Sequence, residues 1–216
     1  MAYRRTERET ARLAARHQAI IGAARALASE SGLGALQIAP VAERAGIAAG
    51  TIYRYFPSKD DLVAAVVSAS AEREVAAIRA AAAAAPGALS GLAAAIAAFA
   101  SGTLQTRRLA LAMLAESPGS GGDAGRLAFR RRISAEFDGL IRAAIAAGHL
   151  PDQPPAAMAA AIIGAVVEGL GPLAPTLSGP AAEPATVRGI TLFALRALGV
   201  VDARARGLVV SVINNQ

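Results

Sequence analysis

Apolar residues recur along this chain at spacings of three, four and seven, the period of helices that each bury one stripe. Over residues 10–31 the stripe is Leu13, Ile20, Ile21, Ala24, Leu27 and Ala28, and Gly32 and Gly34 close it. A short second helix, 38–45, turns Ile38, Val41, Ala42 and Ala45 inward. Gly46 then supplies the backbone freedom for a sharp corner that Ile47 seals. A third helix, 49–56, buries Ile52 and Phe56, four residues apart. At about 100° per residue its other side carries Ala49 with Tyr53, and Gly50 with Arg54 beside them. Pro57 stops it, and Ser58 and Asp61 stand at capping-box spacing ahead of a fourth helix reaching residue 84, with Leu62, Val66, Val67, Val75 and Ile78 inward.

The remainder continues in the same period. Pro86 and Gly87 separate the fourth helix from a fifth, 89–104, with Leu92, Ile96 and Phe99 on one side. A sixth, 106–116, hides Leu109, Met113 and Leu114 and shows Arg107 and Arg108. The loop SPGSGGDAG, 117–125, leads to a seventh helix, 126–147, striped by Leu127, Ile133, Phe137, Leu140, Ile141 and Ile145. A last pair, 155–170 and 183–198, is joined by a Pro/Gly-rich linker at 171–180. Both carry small residues: Ala160, Gly164, Ala165 and Gly169 on one, Gly189, Ala194 and Ala197 on the other. Small faces let helices approach closely, so two such hairpins fit a four-helix interface between two copies of the chain. The expected fold is all-α: a flexible basic arm at 1–16, a helix-turn-helix unit at 17–60, a larger helical domain at 61–200, and a tail at 201–216. In that tail DARARG precedes the β-like run LVVSVI, and no structure is assigned to it.

Composition supports helix throughout. Hydrophobic residues make up 54% of the 216, but aromatics only 4%, and alanine, the best helix former, dominates. No stretch supplies about 20 apolar residues free of charges and helix breakers; the strongest candidate, 156–167, runs into Glu168, Gly171 and Pro172. The N-terminus is densely charged, unlike a secretory signal, and the lack of cysteine removes disulfides and thiolate metal sites. A soluble cytoplasmic protein is expected, without membrane partner. The net charge of +6 is nearly all arginine, with Lys59 the only lysine. Residues 1–60 hold nine basic side chains against five acidic ones, a surplus that suits an anionic partner. Arg4 and Arg5 in the arm would reach phosphates or a minor groove.

The VAERAG of 41–46 and the GTIYRYFPSKDDL of 50–62 resemble the DNA-binding domain of the TetR family of transcriptional regulators, a likeness running from residue 20 to residue 67. The resemblance implies that Ala49, Gly50, Tyr53 and Arg54 face bases in a major groove while Thr51, Tyr55 and Lys59 hold phosphates. Arginine suits direct readout because its guanidinium can take both acceptors of a guanine edge. Three positions depart from the family pattern: Gln37 replaces the usual threonine or serine cap, Ala39 an often polar contact residue, and Ala48 the usual serine cap of the third helix. The resemblance also implies that 155–170 and 183–198 form a homodimer, and that the larger domain encloses an effector cavity. Candidates for its lining are Phe99, Met113, Phe129, Ile133, Phe137, Met158 and Ile162. With few aromatics and few polar handles, such a cavity is expected to prefer an apolar ligand.

No catalytic constellation accompanies this pattern. His17 and His149 are far apart and lack acidic or cysteine company at ligand spacing, and P-loop, GxGxxG and GxSxG motifs are missing. No enzyme activity, cofactor or metal is therefore expected. The reading is a homodimeric repressor released from a palindromic operator by a small apolar effector; the alternative is a helical small-molecule-binding protein whose DNA binding is lost or weak.

Overall fold

Helices α1 (Ala2–Ser31), α2 (Ile38–Arg44) and α3 (Ala49–Ile52) form the N-terminal unit of the computed structural model, which describes residues 2–114, 123–170 and 182–214. Ile20, Ala24 and Ala28 of α1 are fully buried and meet Val41 and Ala42 of α2 and Ile52 of α3. The corner between α2 and α3 is made by Gly46, whose φ of 65° lies in the left-handed region, and the Ile47 N–H reaches back to the Ala42 carbonyl at 3.0 Å.

At the ends of the chain one expectation is corrected and one unassigned segment gains a structure. The arm at 1–16 is helical, because α1 begins at Ala2. Alanine, arginine and glutamate are strong helix formers, and no glycine or proline intervenes before Gly22. The packed half of α1 therefore extends outward without the cost of a new nucleus. Leu13, expected inside, is 49% exposed on that projecting half. The tail is also helical: α10 (Asp202–Asn214) buries Ala205, Val209 and Val212 at spacings of four and three. Asp202 opens it by accepting hydrogen bonds from Arg196 and from Arg206, the latter at 2.8 Å. An apolar run that reads as a strand in isolation becomes helix because α5 and α9 offer its stripe a surface.

Helix α4 (Lys59–Ala84) links the N-terminal unit to the larger domain. Its first residues are fixed by a complete capping box: the Asp61 N–H donates to Ser58 Oγ at 3.1 Å and the Ser58 N–H to Asp61 Oδ2 at 3.0 Å. It packs on α1, α5 (Ala88–Gln105) and α7 (Asp123–Ala146), and Arg79 clasps Glu136 of α7 with both ends of its guanidinium, one at 2.8 Å. Helix α5 is long and apolar enough to cross a membrane by length and composition, and the sequence reading passed over it in favour of 156–167. Two thirds of it is buried as the core helix of the bundle. Phe99 of α5 meets Phe137 of α7 edge to face, 5.6 Å between centroids, at the centre of that core.

Helices α6 (Arg107–Leu114), α8 (Pro155–Gly169) and α9 (Ala182–Ala197) complete the domain. The expected loop at 117–125 and linker at 171–180 fall largely outside the described residues, although α7 already starts at Asp123. Leu127, expected in the α7 stripe, is 49% exposed, so that stripe begins at Phe129. Among the described residues there are ten α-helices and no strand, the all-α architecture that the periodicity predicts.

Candidate DNA interface and effector cavity

The exposed corner of the N-terminal unit is built around two buried side chains. Ile52 and Phe56 are anchored in the core, so the residues between and beside them are turned outward. Ala49, Gly50, Tyr53 and Arg54 are exposed, Tyr53 by 52%, and Thr51, Tyr55 and Lys59 are half-buried around them. The predicted helix at 49–56 is shorter: α3 ends at Ile52, and the chain continues as tight turns in which Arg54 N–H donates to Thr51 at 3.2 Å and Tyr55 N–H to Ile52 at 2.9 Å. The face survives because those turns keep nearly helical torsions, with Tyr53 at φ −61° and ψ −18°. His17 of α1 stacks on Phe56, 4.9 Å between centroids, and lies 6.4 Å from Tyr55, so α1 braces the end of the segment. The side chains of Arg4 and Arg5 lie outside the described residues.

A second feature is a cavity of about 440 Å³ enclosed by α1, α4, α5, α6 and α7. Its apolar end is Phe99, Leu109, Met113, Leu114 and Phe129, and its open side carries the exposed Arg73, Ala77 and Gln105. Of the seven side chains expected to line one pocket, Phe99, Met113 and Phe129 do so. Ile133 and Phe137 are core residues, fully buried and outside the lining, while Met158 and Ile162 line a different groove between α8 and α9. The lining also carries polar atoms that were not among the expected residues. Ser70, Glu74 and Thr103 each present an oxygen that is shielded from solvent and lacks a hydrogen-bond partner among the described residues. Burial pushes the Glu74 carboxyl up to about 7, against the opposing pull of the Arg73 guanidinium. Arg25 of α1 also lines the cavity, and burial together with the like charge of Arg73 lowers its pKa. The Glu74 carboxyl sits over Gly102: a Cβ there would stand 2.8 Å from Oε1 and 2.9 Å from Oε2, so the carboxyl would have to shift to admit one.

Sequence reasoning missed these polar residues, yet a signal existed. Ser70 and Glu74 lie four apart on α4, beside the buried Val66, Val67, Ala71 and Val75, and Thr103 sits within the uncharged α5.

Residues 20–66 match the family model described as bacterial regulatory proteins, tetR family. Over that stretch the chain is similar to the DNA-binding domain of the TetR family. That is a family of regulators, not of enzymes. Over 58 residues the chain is 48% identical to the HTH-type transcriptional repressor KstR of Rhodococcus jostii (strain RHA1), a match spanning 27% of each chain. The aligned part is thus about a quarter of that relative's length. The whole TetR-type fold is shared more widely. The regulator FadR of Bacillus subtilis, solved in complex with stearoyl-CoA, superposes with a TM-score of 0.61 at 20% identity, covering 91% of this chain and 95% of its own. RolR in complex with resorcinol does so with 0.62 at 20% identity, covering 90% and 92%.

Within this TetR-type domain the departures noted in the sequence have structural counterparts. Gln37 and Ala48 occupy the N-cap positions of α2 and α3, and neither makes a side-chain cap hydrogen bond. Ala48 has φ −71° and ψ 143°, the extended torsions of a capping residue, so only the hydroxyl is lacking. Ala48→Ser is therefore expected to stabilise the fold by about 1 kcal/mol, read as a raised urea midpoint with unchanged slope. A midpoint that does not move would show that the first N–H groups of α3 gain nothing from a cap.

The α8–α9 hairpin bears the predicted small-residue face. Ala160, Gly189 and Ala197 are exposed, Gly164 and Ala165 half-buried, and Phe193 is 60% exposed beside them. Ala194 instead packs within the chain, and Gly169 is exposed, although a Cβ added there would stand 3.3 Å from Ile190. The groove of about 350 Å³ lined by Met158, Ile162 and Phe193 lies on this hairpin.

Proposed function

We propose that this chain is a homodimeric transcriptional repressor of the cytoplasm that binds a palindromic operator and leaves it when a small, largely apolar effector enters the α1/α4–α7 cavity. The observation that carries the reading is the exposed corner: two small residues, a tyrosine and an arginine presented together on a segment whose reverse side is locked in the core. Such a projection fits a major groove, where close backbone approach at Ala49 and Gly50 lets Tyr53 and Arg54 reach base edges. Thr51, Tyr55 and Lys59 surround it as candidates for phosphate contact, and Arg4 and Arg5 of the N-terminal segment are proposed to add further contacts to the DNA. Paired through the exposed α8–α9 faces, two such corners would enter successive major grooves about 34 to 36 Å apart.

The effector reading rests on the cavity's position. Its wall includes Arg25, Ala26 and Ser29 of α1, and α4 runs from it to the Ser58 cap beside the groove-facing corner. Arg108 of α6 donates to the Glu30 carbonyl at the end of α1, a further tie between the two parts. A ligand that fits one spacing of the two corners better than another shifts the dimer by that difference in affinity. The bound ligands of FadR and RolR show the same fold holding small molecules in those proteins.

The test is a gel-shift with DNA from the region upstream of the protein's own gene. A discrete complex that survives excess random DNA is the expected result. Only diffuse retardation, abolished by the competitor, would favour a ligand-binding protein with weak DNA binding, the reading to which the missing caps at Gln37 and Ala48 point.

A further inference from the structure

Three oxygens, two on α4 and one on α5, belong to residues that line the α1/α4–α7 cavity, with nothing in the described structure to bond them. Thr103 is 1% exposed and Ser70 7%, and the hydroxyl oxygen of each, like Glu74 Oε1, is shut off from water. Buried polar atoms without partners are uncommon because each forfeits its hydrogen bond to water on folding, so a cluster of three on residues lining one cavity marks a place where a bound group completes the bonding. The rest of the cavity defines that group. The aromatic and aliphatic end formed by Phe99, Leu109 and Phe129 takes a hydrophobic body. Arg25 and Arg73 on the wall disfavour a cationic ligand, and the Glu74 carboxyl disfavours an anionic head placed beside it. Ionised, Glu74 only accepts; protonated, it donates or accepts, as the two hydroxyls do, so a group that both donates and accepts, such as a hydroxyl, can complete the bonding in either state.

From this cluster we infer that the effector is a neutral molecule with a compact apolar body and at least one hydroxyl, held by Ser70, Glu74 and Thr103. The inference rests on the reading of this cavity as the effector site. Its chemistry differs from the purely apolar ligand that composition suggests, since the hydroxyl, and not the apolar body, carries selectivity. A site built to bond a hydroxyl rejects the analogue without it, because the site's own buried groups are then left unpaired.

The experiment is calorimetric titration of the full chain, without DNA, with 2-naphthol, 4-cyclohexylphenol, their hydroxyl-free counterparts naphthalene and cyclohexylbenzene, and the charged 2-naphthoate and 2-naphthylmethylammonium. At least one phenol is expected to bind roughly tenfold or more tightly than its hydroxyl-free counterpart and than both ions. Thr103→Val and Ser70→Ala, which nearly keep shape and remove the hydroxyl, are each expected to shrink that ratio by weakening the phenol and not the hydrocarbon. Equal binding of phenol and hydrocarbon, preference for an ion, no binding by any probe, or a ratio untouched in both variants would overturn the inference. The gel-shift is independent of these titrations. Hydroxyl-selective binding without an operator complex would remove the repressor reading and leave the site intact; an operator complex without hydroxyl selectivity would do the reverse.

Discussion

Glu74→Gln is expected to stabilise the protein above neutral pH and to have little effect in mild acid. The Glu74 carboxyl is pushed up to about 7 from an ordinary value of 4.5, chiefly because the cavity wall denies its charge solvation. Between those two values the folded chain holds a proton that the unfolded chain has released, so unfolding releases a proton and stability falls as pH rises. The favourable state is fully present below about 4.5 and is lost as pH passes through about 7. A displacement of this size corresponds to a difference of about 3 kcal/mol at most between the two limits. Glutamine keeps the length and the acceptor oxygen but carries no charge, so the loss disappears with it. The charged groups that share the cavity are Arg25 on α1 and Arg73 on α4; α5, α6 and α7 contribute no ionisable side chain to the lining. Glu74 is the one carboxyl in that lining. Urea unfolding of both proteins at pH 5 and pH 8 measures the effect: the gap between them should be small at pH 5 and wide at pH 8, in favour of the variant. An equal gap at both pH values would mean that the carboxylate is solvated in the folded protein.

A carboxyl placed at such cost in the wall of a cavity is a different matter from the scattered acids that a linear reading finds at helical positions. Glu74 illustrates what the sequence could and could not show. Its neighbours Val66, Val67, Val75 and Ile78 announce a helix and its buried stripe, because each contributes to a local period. Whether Glu74 lies at the edge of that stripe or under another helix depends on how α5 crosses α4, and the clue to that crossing, the absent side chain at Gly102, is visible only once the two are packed. The helix-turn-helix corner was legible for the opposite reason. Gly46, Ile52, Phe56, Pro57, Ser58 and Asp61 act on neighbours a few residues away, so their roles survive any arrangement of the rest. The arm was misread as flexible and the tail left unassigned because helix there depends on distant partners. α1 extends outward from a half that packs on α2 and α4, and the LVVSVI segment is helical on a surface supplied by α5 and α9. The cavity lining was half legible: aromatic residues signal the core, but helical periodicity does not distinguish Phe137, which fills the core, from Phe129, which borders a void.

Arg54 and Lys59 are expected to fail in different ways when removed, and the difference separates base reading from anchoring. Arg54 is exposed beside Tyr53, on the side of the segment opposite Ile52 and Phe56. A guanidinium there can donate to both acceptors of a guanine, and a truncated side chain cannot, so Arg54→Ala should cost about 1 to 3 kcal/mol on the operator and relax preference at one position of each half-site. Affinity for random DNA, which depends mainly on charge, should fall much less. Lys59 opens α4 next to the Ser58 cap, and its ammonium is a point charge that distinguishes no base. Lys59→Ala should weaken operator and random DNA alike and lower the slope of log K against log salt by about one unit per site contacted. Both variants leave the buried face untouched, and since the capping box uses Ser58 and Asp61 rather than Lys59, the fold is expected to persist in each. Titrations at several salt concentrations on both DNAs decide the assignment. Equal losses on the two DNAs for Arg54→Ala would deny it a base-reading role. An unchanged salt slope for Lys59→Ala would take that residue off the phosphate backbone. If the two profiles were exchanged, the segment would dock with its Lys59 end, and not its Tyr53–Arg54 face, in the groove.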